Sequence, residues 1–129
     1  MTGIARFSLT ALDCPDPLKL AEFYSAITGW PLDATEEEIA ALDQVRWVQL
    51  RSDGGATIAF QRVPDYRAPV WPGSEAPQQL HLDFDVPDLD AAEAQVLALG
   101  ARKAEVQPGR DFRVFLDPVG HPFCLVRAE

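Results

Sequence analysis

The chain has 129 residues, 47% hydrophobic and 24% charged, a composition that excludes a disordered chain and suits one self-supporting core. Its formal net charge of −9 disfavours nucleic acids and anionic membranes as partners, because both repel an acidic surface. No apolar run of bilayer length and no signal peptide are recognisable. Cys14 and Cys124 lack CxxC spacing and are expected to be free thiols in the cytoplasm.

The residue pattern of the first half predicts a strand, a helix and a hairpin. Asp16 is a favoured N-cap ahead of Pro17, and Gly29 suits the end of the helix. The turn at 53–55 predicts that the last two strands form the hairpin. The acidic run at 35–38 is expected to be a solvated turn or an edge strand, not a metal cluster. The predicted bounds are 16–29 for the helix and 4–12, 46–52 and 57–63 for the strands.

The second half follows a proline-rich linker at about 64–78 and repeats the same order. Asp88 is again a favoured N-cap, and Gly100 again suits the end of the helix. The turn at 117–120 separates the last two strands. The predicted bounds are 88–100 for the helix and 79–86, 104–107, 111–116 and 122–127 for the strands.

The order of elements is repeated because the sequence contains an internal repeat. Residues 9–16 are echoed by residues 81–88, which lie 81 − 9 = 72 positions later. The echo predicts an α+β fold of two βαβββ modules in tandem within one domain, 1–129. Module 1 covers about 1–63 and module 2 about 79–129. Such half-modules usually share a pocket, and the matched first positions differ, with Leu9 in one copy and His81 in the other.

Several segments carry a resemblance to a known family. They are 12–17, Phe23-Tyr24, Gly29-Trp30, 60–64, 79–83 and 117–125. Together they resemble the vicinal oxygen chelate superfamily, which includes glyoxalase I, bleomycin-resistance proteins and extradiol dioxygenases. Within it, the chain is most similar to glyoxalase-like domain proteins of actinobacterial type. The resemblance implies paired, curved mixed sheets that form a cavity, with the helices outside.

The resemblance also implies where a metal would lie. Metal-binding members place ligands on the first and last strand of each module, which here correspond to Leu9, Gln61 (or Ala59), His81 and Cys124. Leu9 cannot ligate a metal, and octahedral ions require imidazole and carboxylate ligands. We therefore expect a degraded metal site and no cofactor. If a divalent metal does bind, the ligands expected are His81, Gln61 and Cys124.

His81 is the candidate catalytic residue. Strand alternation places it on one side with Asp83 and Asp85, so it is predicted to face the cavity as a general base or hydrogen-bond donor. A structural histidine paired with Asp83 is the alternative. Cys124 is expected to be a small buried hydrophobe, not a nucleophile. Trp30 and Trp71 are either core plugs or cavity lids. The residues predicted to bind the ligand are Trp47, Gln49, Gln61, Asp83, Arg113 and Cys124.

These residues favour a protein that binds a small molecule, with acid–base chemistry by His81 if it is an enzyme. Two alternatives are left open. One is a metal-dependent lyase, isomerase or dioxygenase, and the other is a protein of the bleomycin-resistance type that sequesters an antibiotic. Sheet edges need cover, and superfamily members of this length commonly pair, so we expect a homodimer.

Overall fold

The computed structural model describes residue 3, residues 7–33 and residues 45–128. The chain divides into two units, Met1–Tyr66 and Arg67–Glu129. Each unit has a four-stranded mixed sheet, and the described residues add one α-helix to each. Neither described helix is long and apolar enough to cross a lipid bilayer. The two tandem modules predicted from the internal repeat are therefore confirmed.

The first unit is a sheet with its helix packed on one face. Asp16 caps the helix by accepting a hydrogen bond from the Lys19 backbone N–H at 3.2 Å. Tyr24 of the helix stacks on Phe60 of the sheet, with ring centroids 5.7 Å apart, and both are fully buried. The sheet order is β1-β4-β3-β2, in which only the β1–β4 pair is parallel. The elements are β1 (Thr10–Cys14), α1 (Pro17–Thr28), β2 (Leu32–Asp33), β3 (Trp47–Arg51) and β4 (Thr57–Arg62).

The second unit has the same order of elements and the same sheet topology. Asp88 caps its helix by accepting a hydrogen bond from the Ala91 N–H at 3.1 Å. The sheet order is β5-β8-β7-β6, and again only the pair of first and last strand is parallel. The elements are β5 (Leu82–Val86), α2 (Leu89–Ala98), β6 (Arg102–Lys103), β7 (Phe112–Leu116) and β8 (Pro122–Arg127).

Two predicted strands have different bounds and a third predicted strand is not formed, while the prediction at 35–38 lies outside the described residues. Residues 7–9, predicted to belong to the first strand, precede it. β1 runs to Cys14 instead of ending at residue 12, and β5 begins at Leu82 instead of residue 79, so His81 precedes the strand. Residues 104–107 are not a strand. There the Gln107 side chain replaces a backbone partner, since it donates to the Val114 carbonyl and accepts from the Val114 N–H, at 2.8 and 2.9 Å.

Most of the proline-rich stretch belongs to the second unit, and we call residues 67–78 the 67–78 segment. It contacts the turn between β7 and β8, where Gly120 has φ +99°. A Cβ at Gly120 would lie 2.7 Å from the Cβ of Ala68, so only glycine permits this approach. The segment is also tied to itself by the Val70 N–H, which donates to the Ala76 carbonyl at 2.6 Å.

Candidate functional site

The two faces of the second sheet differ in character. Phe84, Phe115 and Phe123 pack together, with Phe115 stacked on Phe123 at a centroid distance of 5.7 Å, on the face that carries α2. Strand alternation then places Asp83, Val114 and Cys124 on the opposite face, and we call this the cavity face. Trp71 of the 67–78 segment packs against Val114 and Cys124 there.

A cavity of about 150 Å³ lies on the cavity face. This is about the volume that accommodates one benzene-sized ring. Half of the residues in its walls are tryptophan, phenylalanine or proline, and two are strongly polar. The lining residues are Trp71, Gln78, His81, Pro108, Phe112, Val114, Pro122 and Cys124, all from the second unit.

His81 and Asp83 form a pair beside this cavity. The distance from His81 Nε2 to Asp83 Oδ1 is 3.4 Å, and the two side chains are 46% and 57% exposed. Asp83 is also the register partner of Cys124 on the parallel strand β8. The register thus brings imidazole, carboxylate and thiol together, and their potential ligand atoms all lie within 4.8 Å of one another.

The Cys124 thiol is a weak acid in this setting. Burial and the nearby Asp83 carboxylate raise its pKa from the ordinary value of 9.0 to about 11, with burial the larger cause. A thiol with this pKa is protonated at neutral pH and is a poor nucleophile. The expected role of Cys124 as a small, buried side chain agrees with this environment.

The structure places Arg113, which was predicted to bind the ligand, in ion pairs with the helix, and its contact with a ligand stays a prediction. Its guanidinium pairs with Asp90 at 2.8 Å and with Glu93 at 3.3 Å, both on α2. The hydrogen bond that Arg113 donates to Asp90 is the main reason that the pKa of Arg113 is raised. Phe112 and Val114 line the cavity, so alternation along β7 turns Arg113 to the helix face.

Three further predicted ligand-binding residues lie in the first unit. Trp47, Gln49 and Gln61 lie on the face of the first sheet that alternates with the buried Val48 and Leu50. The Trp47 indole N–H donates to Gln49 Oε1 at 2.8 Å, and Gln61 is the register partner of Trp47. The structure therefore brings these three side chains together, and their contact with a ligand remains a prediction.

Residues 10–126 match the family model of the glyoxalase-like domain, which is nearly the whole chain. The chain belongs to the glyoxalase-like domain family. No curated protein sequence matches it. This glyoxalase-like domain is a member of the vicinal oxygen chelate superfamily, as the sequence resemblance implied.

Solved structures share the fold of this glyoxalase-like domain at low sequence identity. A glyoxalase family protein from Bacillus cereus has a TM-score of 0.68 and 17% identity, with 98% of this chain and 95% of that chain covered. A glyoxalase/bleomycin resistance protein/dioxygenase family enzyme from Burkholderia phytofirmans has a TM-score of 0.67 and 17% identity, with coverage of 95% and 98%. The fosfomycin resistance protein FosX from Listeria monocytogenes has a TM-score of 0.65 and 16% identity, with coverage of 96% and 91%.

The strand register decides which residues of the first module are the counterparts of Asp83 and Cys124 in the second. In the first unit Ala11 pairs with Ala59, as Asp83 pairs with Cys124 in the second. The counterpart of Cys124 is therefore Ala59, and Gln61 lies two residues further along the strand. At these positions the first module offers only Leu9 and Ala59, neither of which ligates metals.

The donors of the second module suit a zinc site better than an octahedral one. One imidazole, one carboxylate and one thiolate match a zinc ion with three protein ligands and an open position. The same set does not suit an octahedral ion, which prefers oxygen and nitrogen ligands. Zinc would be held by His81, Asp83 and Cys124, whereas the sequence had suggested Gln61 in place of Asp83.

Several cavity residues were missed in the sequence. Phe112 and Val114 were missed because Arg113 was expected to face the pocket, which assigns the two faces of β7 the wrong way round. The Gln107 side-chain bonds and the 67–78 segment gave no periodic signal, so Gln78 and Pro108 had no pattern to reveal them. Trp71, left open as a plug or a lid, lines the cavity.

Proposed function

We propose that this glyoxalase-like domain binds a small, partly apolar molecule in the cavity of its second module. In this proposal His81 acts on that molecule as hydrogen-bond donor or general base. The observation that supports it most is the 3.4 Å contact between His81 Nε2 and Asp83 Oδ1 at the edge of an apolar cavity. Concave apolar sites with few polar groups are typical of small-molecule binding.

Asp83 is proposed to orient the imidazole. When Nε2–H is directed at a carboxylate, Nδ1 of the neutral ring accepts a proton as a general base, and it donates a hydrogen bond to the ligand only when the ring is protonated. Cys124 takes no part as a nucleophile, since its thiol is protonated at neutral pH.

The test is a fragment screen by NMR followed by titration of the hits. We expect His81→Gln to weaken binding of a cavity ligand by about 5- to 100-fold, since the ligand group is left without its partner. His121→Gln is the matched control, because His121 lies in the β7–β8 turn and does not line the cavity. Equal affinities of wild type and His81→Gln would show that His81 is only structural.

Zinc-assisted chemistry is a second candidate, favoured by the cluster of three donor atoms within 4.8 Å. A bound zinc ion would supply Lewis-acid activation of a ligand oxygen. Metal analysis of purified protein, before and after incubation with zinc, separates the two candidates. Stoichiometric zinc that is lost in Asp83→Asn but retained in Asp85→Asn would favour the second candidate over the first.

We further propose that the domain is a cytoplasmic homodimer. The described strands β1 and β5, five residues each, stand at the ends of their own sheets and leave backbone groups that need cover. Cys14 and Cys124 are free thiols, which agrees with a reducing compartment.

A further inference from the structure

Two arginines stand opposite each other where β3 begins and β4 ends, and we call them the arginine pair. The Arg62 N–H donates to the Arg46 carbonyl at 2.9 Å, one step beyond the register pair of Trp47 and Gln61. Directly opposite residues of antiparallel strands project on the same side, with Cβ atoms about 4.5–5.5 Å apart. Two like charges placed in this way repel each other and destabilise the sheet. The arginine pair therefore requires an explanation.

The arginine pair lines a cavity in the first unit. This cavity has a volume of about 270 Å³, and the described residues that line it are Arg46, Arg62 and Pro64, all of them exposed. Arg62 alternates along β4 with Gln61, so their side chains lie on opposite sides of the sheet. The cavity of the arginine pair is therefore not the surface on which Trp47 and Gln61 were predicted to bind a ligand.

The charge around the arginine pair differs from that around other cations of this acidic protein. Within the ranges that the structure describes, no carboxylate forms an ion pair with Arg46, and no carboxylate lines the cavity. Other described cations are matched with carboxylates: Arg51 with Asp33, Lys103 with Glu93, Arg113 with Asp90 and Glu93, and Arg127 with Asp111.

We propose that this cavity binds a small phosphate monoester, whose phosphate group lies between the two guanidiniums. A guanidinium presents its N–H donors as a planar fork that matches phosphate oxygens, and it stays charged at ordinary pH. A phosphate monoester carries about −1.5 to −2 charges at pH 7, which offsets both arginines, whereas a carboxylate offsets only one. The site does not depend on the His81 cavity and goes beyond the proposed function.

The size of the cavity indicates what the phosphate carries. A cavity of about 150 Å³ holds one benzene-sized ring, so a volume of about 270 Å³ has room for a phosphate group and a small organic part. A phospholipid headgroup offers the same phosphate chemistry, but the net charge of −9 opposes approach to an anionic membrane. The ligand class is therefore a free, water-soluble monoester.

The experiment titrates the full chain by calorimetry with glycerol 3-phosphate, inorganic phosphate and acetate at equal ionic strength. We expect both phosphates to bind, and acetate to bind about 10-fold more weakly or not at all. Arg46→Gln and Arg62→Gln should each weaken the binding of glycerol 3-phosphate by about 10-fold, since a charged hydrogen-bond donor is lost. Arg51→Gln is the matched control and should retain the affinity, because it removes the same charge from the other side of β3.

A second measurement tests the repulsion within the arginine pair. Arg46→Gln should raise the Tm of the ligand-free protein, because the facing charge is removed. Glycerol 3-phosphate should raise the Tm of the wild type and of Arg51→Gln, but not that of Arg46→Gln. A lower Tm of Arg46→Gln without ligand would contradict the repulsion from which the site is inferred. If Arg62→Gln does not fold, the comparison of Arg46→Gln with Arg51→Gln decides.

The remaining outcomes overturn the site or its ligand class. Equal losses of affinity in Arg46→Gln and Arg51→Gln would show attraction to charge without a site, and so would the absence of any phosphate binding. Binding of inorganic phosphate without glycerol 3-phosphate would overturn the monoester. Sedimentation with vesicles that contain phosphatidic acid, without binding of glycerol 3-phosphate, would identify a membrane ligand instead. None of these outcomes involves His81, so the proposed function is tested separately.

Discussion

At the scale of single residues, the pairing of β5 with β8 brings imidazole, carboxylate and thiol groups together in the second module. Parallel pairing of β5 with β8 sets Asp83 beside Cys124, and His81 reaches the same carboxylate from just before the strand. The first module has the same pairing but not the same chemistry. Its counterparts of His81, Asp83 and Cys124 are Leu9, Ala11 and Ala59.

The acidity of Cys124 gives a residue-scale prediction. With its pKa raised to about 11, the thiol should react with iodoacetamide at pH 8 roughly 100-fold more slowly than an ordinary cysteine. The rate should rise steeply as the pH approaches 11. A Cys14→Ser background isolates the signal, and in it Asp83→Asn should increase the rate because one of the causes is removed. Ordinary reactivity at pH 8 would contradict the assigned environment.

The same shift predicts how stability depends on pH. The unfolded thiol ionises near 9.0 and the folded one near 11, so the unfolded state loses its proton first as pH rises. The contribution of Cys124 to stability is therefore complete below pH 9 and decreases between pH 9 and 11. Urea unfolding at pH 8 and at pH 10.5, in wild type and Cys124→Ala, should show a larger loss in the wild type.

Gly109 provides a second residue-scale prediction. A Cβ at this position would collide with the ring of Phe112, which lines the cavity. In Gly109→Ala the ring must move, so we expect a loss of about 1–3 kcal/mol in the free energy of unfolding and altered ligand affinity. Gly54→Ala is the control, since its nearest neighbour would be 3.9 Å away. Equal effects of the two substitutions on unfolding and binding would refute the prediction.

At the scale of elements, side chains of the second unit supply contacts between its helix and strands that backbone hydrogen bonds do not make. The helix α2 is tied to β7 and β6 by ion pairs of Asp90 and Glu93 with Arg113, and of Glu93 with Lys103. Gln107 extends the pairing of β7 beyond the two residues of β6. These contacts fix β7, whose other face carries Phe112 and Val114 into the cavity.

Gln107 accordingly gives an element-scale prediction. Gln107→Ala removes the side-chain bonds to the Val114 N–H and carbonyl, and should lower the free energy of unfolding by about 1–3 kcal/mol. Chemical denaturation measures the loss, and Glu105→Ala, at an exposed position on the same loop, should change it little. Comparable losses in the two variants would show that the Gln107 bonds do not stabilise β7.

At the scale of the whole molecule, the two units share one topology but carry different functional side chains. Each has a helix-covered face and a second face that carries the polar or cavity-lining side chains. The cavity and its polar groups are built from the second unit, while the first presents Trp47, Gln49 and Gln61 on its own sheet. The fold is therefore compatible with several functions, and the side chains of one module direct the proposal.

The oligomeric state is the prediction that belongs to this scale. If the exposed ends of the sheets are covered by a second copy, light scattering at micromolar concentration should give twice the chain mass of 14.2 kDa. The mass should persist at high salt, because backbone pairing and apolar contacts are little affected by screening. A mass of one chain under the same conditions would reject the dimer.

The sequence by itself determined the two-module fold, both helices and their caps, and the candidate status of His81, Asp83 and Cys124. The fold, the helices, their caps and the pair of His81 and Asp83 follow from local signals, namely the internal repeat, strand alternation and N-cap chemistry, which need no knowledge of distant contacts. Cys124 became a candidate through the family resemblance. The tertiary structure decided which side of β7 lines the cavity, and so replaced Arg113 by Phe112 and Val114. It also decided that Ala59, not Gln61, matches Cys124, and that Gln78 lines the cavity. A one-residue shift of register exchanges the two faces of a strand, so the sequence could not settle which side chains line the cavity. Irregular segments such as that of Gln78 have no periodic pattern, so their contacts could not be predicted either.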